Sequence, residues 1–167
     1  MTKTSKKILI LVTVLSLCLN AFFAIQYYQE QVKKRNNLID ATERVSVRIS
    51  DASDRLTTID KDSPDYENHI IGAARDIAIS KGWIEAYAED MPRNLVSWIG
   101  GIEVGLSNGA YGIDENGFKH TVQDLKNFTD GYYKESESLN QDPEETLKIM
   151  EDVLSSKKYM GDNYIKK

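Results

Sequence analysis

Residues 8–25, ILILVTVLSLCLNAFFAI, run for eighteen positions without a charged side chain. Nothing else in the chain limits its fold as strongly. As a helix the run covers about 27 Å, close to the roughly 30 Å hydrocarbon core of a bilayer. Lys6 and Lys7 precede it and Tyr27 and Tyr28 follow it, and basic and aromatic side chains of this kind anchor a span at headgroup depth. The run therefore predicts a single membrane span over residues 8–25, with residues 1–7 as a short cytoplasmic N-terminus.

A cleaved signal peptide needs small residues three and one positions before the cut. Cutting after Ala24 puts Phe22 at the first of these positions, and cutting after Ala21 puts Leu19 there. Leu17 occupies the place before Cys18 where a lipoprotein box has a small residue. An uncleaved signal-anchor is the expectation. Lys3, Lys6 and Lys7 abut the run, whereas Lys33, Lys34 and Arg35 begin several residues beyond it. The nearer charges place the N-terminus in the cytoplasm and the C-terminal domain outside.

All 26 acidic side chains lie beyond residue 25, with 18 of the 21 basic ones, a net of about −8. The lysines and arginines are interleaved with acids, which speaks against a nucleic-acid surface. Cys18, the only cysteine, falls inside the apolar run. The domain beyond it has no disulfide available and must be held by packing, which suits a cytosolic domain or a bacterial surface that does not rely on disulfides.

Beyond the anchor the pattern is helical throughout. Leu38, Thr42, Val45, Ile49, Ala52, Leu56 and Ile59 step by four and three, a stripe belonging to an amphipathic juxtamembrane helix over residues 26–62. It serves as the first bundle helix or as a coiled-coil stalk. Ser63 as N-cap, Pro64 at the first position, and Asp65 and Glu67 in the first turn predict a second helix. That helix carries Tyr66, Ile70, Ala73, Ile77, Ile84, Tyr87 and Met91 inward and ends at Pro92. Asn94 to about Ser107 predicts a central buried helix, Asn108-Gly109 its stop, and Asp114-Glu115-Asn116-Gly117 a surface turn. Thr121 and Asp124 read as a capping box for a helix with Val122, Leu125, Phe128, Tyr132 and Leu139 on one face. Asp142-Pro143-Glu144-Glu145 opens the last helix, which carries Leu147, Met150, Val153 and Leu154 inward and closes before Gly161. The expectation is an all-α chain: a single N-terminal transmembrane helix, then an up-and-down bundle of four to five helices. Residues 63–161 supply the remainder of the bundle and residues 162–167 a frayed tail.

Residues 95–113 are the anomaly, with one charge in nineteen positions and a run of glycines. Ser97, Gly101, Gly105 and Gly109 recur every fourth residue, a small-residue strip against which another backbone packs closely. Glu103 is the lone acid there, and Trp98 and Tyr111 flank it. Ser97, Trp98, Gly101, Glu103, Gly105, Gly109 and Tyr111 are the candidate partner- or ligand-binding residues. No catalytic, metal or cofactor signature accompanies them. His69 and His120 are isolated, and no HExxH, CxxC, nucleophile elbow or phosphate loop occurs. Placing Gly117 at the invariant glycine of a calcium loop puts Gly112 first and Gln123 twelfth, which leaves too few carboxylates.

Contact rather than catalysis is the function these features suggest: a bilayer-anchored scaffold that binds a protein partner or itself. A second reading is a small-ligand module with a pocket near Trp98 and Glu103. A hydrolase with an unadvertised site is the third.

Overall fold

The computed structural model describes residues 3–137 and 142–160. All regular structure among them is helical: α1 (Lys3–Thr57), α2 (Tyr66–Ala86), α3 (Arg93–Ala110), α4 (Glu115–Ser136), α5 (Pro143–Ser155) and α6 (Lys157–Met160). The chain divides into two units, Met1–Asn37 and Leu38–Lys167. The expected tail at residues 162–167, Gly161 and Leu139 lie outside the described residues.

In the first unit α1 contains no proline or glycine to interrupt it. Its large apolar side chains from Ile10 to Ile25 are each half or more exposed. None of its most apolar window is buried within the chain, and it is the one described helix long and apolar enough to cross a membrane. Lys6, Lys7, Tyr27 and Tyr28 are exposed at its flanks.

In the second unit α1 continues as the first bundle helix. Ala41, Val45, Ile49, Ala52 and Leu56 are buried in the core, with Thr42, Ser46 and Ser53 beside them. The Thr42 and Ser46 hydroxyls donate to the carbonyls of Ile39 and Glu43, each at 2.9 Å, so burial leaves neither donor unpaired. The expected heptad stripe is thus spent inside its own unit rather than presented to a partner.

The turn after α1 departs from its expected capping. Tyr66 N–H bonds the Ser63 carbonyl at 3.0 Å, while Ser63 Oγ accepts from Asp65 N–H at 3.3 Å. Pro64 and Asp65 therefore form a separate turn, and α2 starts two residues later than the Ser-Pro signal implies. It also stops early, at Ala86, short of the expected inward positions Tyr87 and Met91. Met91 is nonetheless buried from the connecting turn.

At the centre α3 buries Leu95, Trp98, Ile99, Ile102 and Leu106. It runs three residues past the expected stop. Ile113 N–H bonds the Asn108 carbonyl at 2.8 Å and Gly112 N–H bonds that of Gly109 at 3.1 Å, the paired closure of a Schellman motif. The left-handed residue this closure requires is Gly112, at φ 64°. Asp114 is the N-cap of α4, accepting from Gly117 N–H at 2.9 Å. The expected surface turn and the capping box at Thr121 are thus superseded by a helix that begins at Glu115. Asp142 caps α5 as expected, accepting from Glu144 N–H at 3.0 Å with Pro143 in the first turn.

The second unit is an up-and-down bundle, with α5 and α6 packed on its later helices. α3 packs between α2 and α4, and α5 and α6 close over α4. The α1–α2 and α3–α4 connections lie at the same end of this up-and-down bundle. At the start of α4, Lys119 and more weakly Lys61 hold the Glu115 carboxyl below its ordinary value.

Candidate functional site

The seven candidate residues of the central helix do not converge. Ser97 and Gly101 are exposed, and a Cβ on Gly101 would meet nothing within 4 Å. Gly105 and Gly109 instead face α4. A Cβ on Gly105 would lie 1.9 Å from Thr121 Oγ1, and one on Gly109 would lie 2.0 Å from Phe118 Cδ2. Helical geometry explains the split. Each step of four overshoots a turn by about 40°, so three steps swing the strip by about 120°, from solvent onto the neighbouring helix. The lower half of the glycine strip is an internal helix contact.

Trp98 is 3% exposed, its ring tilted against Phe128 at a centroid distance of 4.6 Å. It is a core residue, and its Nε1–H is buried without an acceptor. Glu103 is about one-third exposed and accepts from Lys81 Nζ of α2 at 2.7 Å. The same bond, reinforced by the two charges, raises the Lys81 ammonium above its ordinary value. Tyr111 stands outside both environments, 81% exposed at the C-cap of α3.

Two groupings emerge that the spacing of small residues did not signal. The first is Asp76, whose side chain is only 5% exposed. Its Oδ1 accepts from Arg48 Nη1 at 3.0 Å and its Oδ2 from Arg55 Nε at 2.8 Å. Each carboxylate oxygen thus has its own guanidinium, both reaching from α1, where a seven-residue separation puts them on one face. The sequence holds a trace of this: Asp76 falls inside the inward stripe of α2, between Ala73, Ile77 and Ser80. An acid there demands a cation.

The second grouping is the α3–α4 turn, where Tyr111 and Ile113 are among the most exposed large apolar side chains of this unit. Val104, seven residues before Tyr111 and so on the same side of α3, is exposed as well.

No family model, curated protein or solved structure matches the chain.

The chemistry offered by these groups is modest. Among the described residues no three His, Cys, Asp or Glu side chains gather as a metal site would require. His69 sits half-buried in the first turns of α2 and His120 is exposed near the start of α4. A cleft of about 140 Å³ lies between α1, α4 and α5, lined by Ile39, Thr42, Ser46, Tyr132 and Pro143 among others. Burial raises the Tyr132 hydroxyl pKa there, which keeps the group a neutral hydrogen-bonding partner rather than a base. The Asp76 cluster is fully matched within itself. It ties α1 to α2 and leaves no oxygen without a cation.

Proposed function

We propose that this protein is a membrane-anchored helical interaction protein of a bacterial cell envelope, inserted once through residues 8–25 with its bundle on the extracytoplasmic side. One observation carries the reading: the apolar side chains from Ile10 to Ile25 are exposed along their whole length. A soluble chain rarely leaves a contiguous apolar surface of this extent in water, and a helix buried in a core would be covered. A bilayer supplies the missing cover, while the exposed Lys6, Lys7, Tyr27 and Tyr28 suit its two interfaces.

Contact is the role that fits the rest. The most buried acid, Asp76, is engaged with Arg48 and Arg55 in holding helices together. The test has two arms. After alkaline carbonate extraction the intact chain, with Met1 or its successor at the N-terminus, is expected in the membrane pellet, and protease added to intact cells is expected to remove the bundle. Crosslinking in cells is expected to give discrete adducts of the full chain. A mature chain lacking its first two dozen residues, a bundle shielded by the cytoplasmic membrane, or a chain that yields no adduct would each refute the corresponding part.

A further inference from the structure

We propose that the α3–α4 turn is a docking surface for a cationic segment of a partner protein, a segment that carries at least one large apolar side chain. The assignment rests on the reading that this chain works by protein contact, and it names where and with what chemistry.

Tyr111 is 81% exposed and Ile113 71% exposed. In a Schellman closure the residue at the position of Ile113 commonly packs back onto the last helical turn. Here that turn offers the polar Ser107 and Asn108, and Ile113 stands outward. The turn is fixed by the bonds from Ile113 N–H to Asn108 and from Tyr111 N–H to Ser107. Little backbone freedom remains to be lost on binding, and a pre-ordered aromatic and aliphatic pair makes a good anchor.

Charge decides the occupant. Residues 58–67 and 111–119 hold six acids, Asp60, Asp62, Asp65, Glu67, Asp114 and Glu115, against Lys61 and Lys119. All six acids are exposed, and Lys119 already pairs with Glu115 at 2.9 Å. The two stretches contain the α1–α2 and α3–α4 connections, which an up-and-down bundle places at the same end. An anionic lipid surface or a nucleic acid is repelled by such a rim. A second copy docking through the same patch would set the same acids against each other. A basic, apolar-bearing segment is complementary on both counts.

The test uses the full chain in nanodiscs of neutral phosphatidylcholine, with empty discs as the blank. The probes are two helical peptides sharing one Leu/Trp face, one with lysines and the other with glutamates on the polar face. The lysine peptide is expected to bind roughly tenfold or more tightly than the glutamate peptide. Tyr111→Ser with Ile113→Ser is expected to weaken it by about tenfold, without moving the unfolding midpoint. Neutralising Asp60, Asp62 and Asp65 to Asn is expected to weaken it more than neutralising Glu89, Glu144 and Glu145 to Gln. Equal affinity for the two peptides, indifference to the tip substitutions, or equal losses from the two neutralised sets overturns the assignment. So does self-association abolished by the tip substitutions, which would make the occupant a second copy. Adducts in cells that survive Tyr111→Ser with Ile113→Ser sink the tip while leaving the interaction reading standing. Absence of adducts from the unaltered chain, with peptide discrimination intact, does the reverse.

Discussion

The glycines of α3 give a sharp test, because three of the four on this helix, Gly101, Gly105 and Gly109, meet three different surroundings. Gly101→Ala adds a methyl group where nothing lies within 4 Å. The helix then gains the propensity difference alone, about 0.5–1 kcal/mol of added stability. Gly105→Ala places the same methyl 1.9 Å from Thr121 Oγ1, 2.9 Å from its Cβ and 3.0 Å from its Cγ2. Rotating Thr121 moves the hydroxyl and the methyl but not the Cβ, so α3 and α4 must separate. Overpacking of this kind costs about 1–3 kcal/mol, which exceeds the propensity gain and leaves a net loss of roughly 1–2 kcal/mol. Gly109→Ala meets Phe118 Cγ at 2.5 Å and Cε2 at 2.7 Å. Spinning the ring leaves Cγ in place, so a loss of at least similar size is expected. The assay is denaturant unfolding of the full chain in detergent, followed by tryptophan fluorescence. Both tryptophans, Trp83 and Trp98, lie in the bundle, so the signal reports on it alone. Thr121→Ala should rescue part of the Gly105→Ala loss, since it removes the nearest contact but leaves the Cβ. Gly101→Ala as destabilising as Gly105→Ala, or Gly105→Ala more stable than the parent, would refute the assignment of the strip.

The other expectations concern charge, caps and the anchor. Replacing Arg48 and Arg55 together by Met strands a buried carboxylate and should cost about 3–5 kcal/mol. Asp76→Asn leaves two half-exposed guanidiniums that water can serve, and should cost about 1–2 kcal/mol; equal costs in denaturant unfolding would contradict the buried-acid account. The Glu135 carboxyl is held below its ordinary value by the Tyr159 hydroxyl, then by Lys158, and Glu115 is lowered by Lys119. A depressed folded value means this stabilisation is present above the usual carboxylate range of about 4.3 and is lost as pH falls through the folded values. Acid unfolding curves should therefore lose some of their slope in Tyr159→Phe. Lys81 is raised by Glu103, so its contribution is complete below about pH 10.4 and disappears as pH rises through the folded value; Glu103→Gln should flatten the alkaline limb. Asp142→Ala and Asp114→Ala each remove an N-cap and should lower stability by about 1 kcal/mol, measured as above. Cys18 should resist a membrane-impermeant maleimide in intact proteoliposomes and react after denaturation in detergent; fast labelling beforehand would place the run outside the hydrocarbon.

What could be read from the sequence was whatever depends on period and local chemistry. The stripe from Leu38 to Ile59, the inward residues of α2 and α5, and the Asp142-Pro143 start of α5 all follow from residues within a few positions of each other. The places that misled were those where a local signal had two possible uses. Asn108-Gly109 looks like a helix stop, yet Gly109 is small for Phe118, and Gly112 provides the left-handed turn. Ser63 looks like an N-cap, yet its hydroxyl serves a turn before α2. The first ambiguity is resolved by a contact with another element, which period and propensity do not contain, and the second by a choice between two equally local hydrogen-bonding patterns.

The candidate site fails to be legible for a related reason. A four-residue repeat of small side chains looks straight on paper, but on an α-helix it winds, and the winding carries Gly105 and Gly109 into the bundle while Gly101 stays outside. A glycine strip therefore indicates close approach somewhere along its length without saying whether the approaching backbone belongs to the same chain. Thr121 and Phe118 answer that for two of the three positions. With the strip half-consumed, the heptad face of α1 buried, and Trp98 in the core, the apolar surface left to the bundle's end is that around Tyr111 and Ile113. Those two residues lie next to the glycines that drew attention to the segment, at the point where the helix they belong to runs out of neighbours.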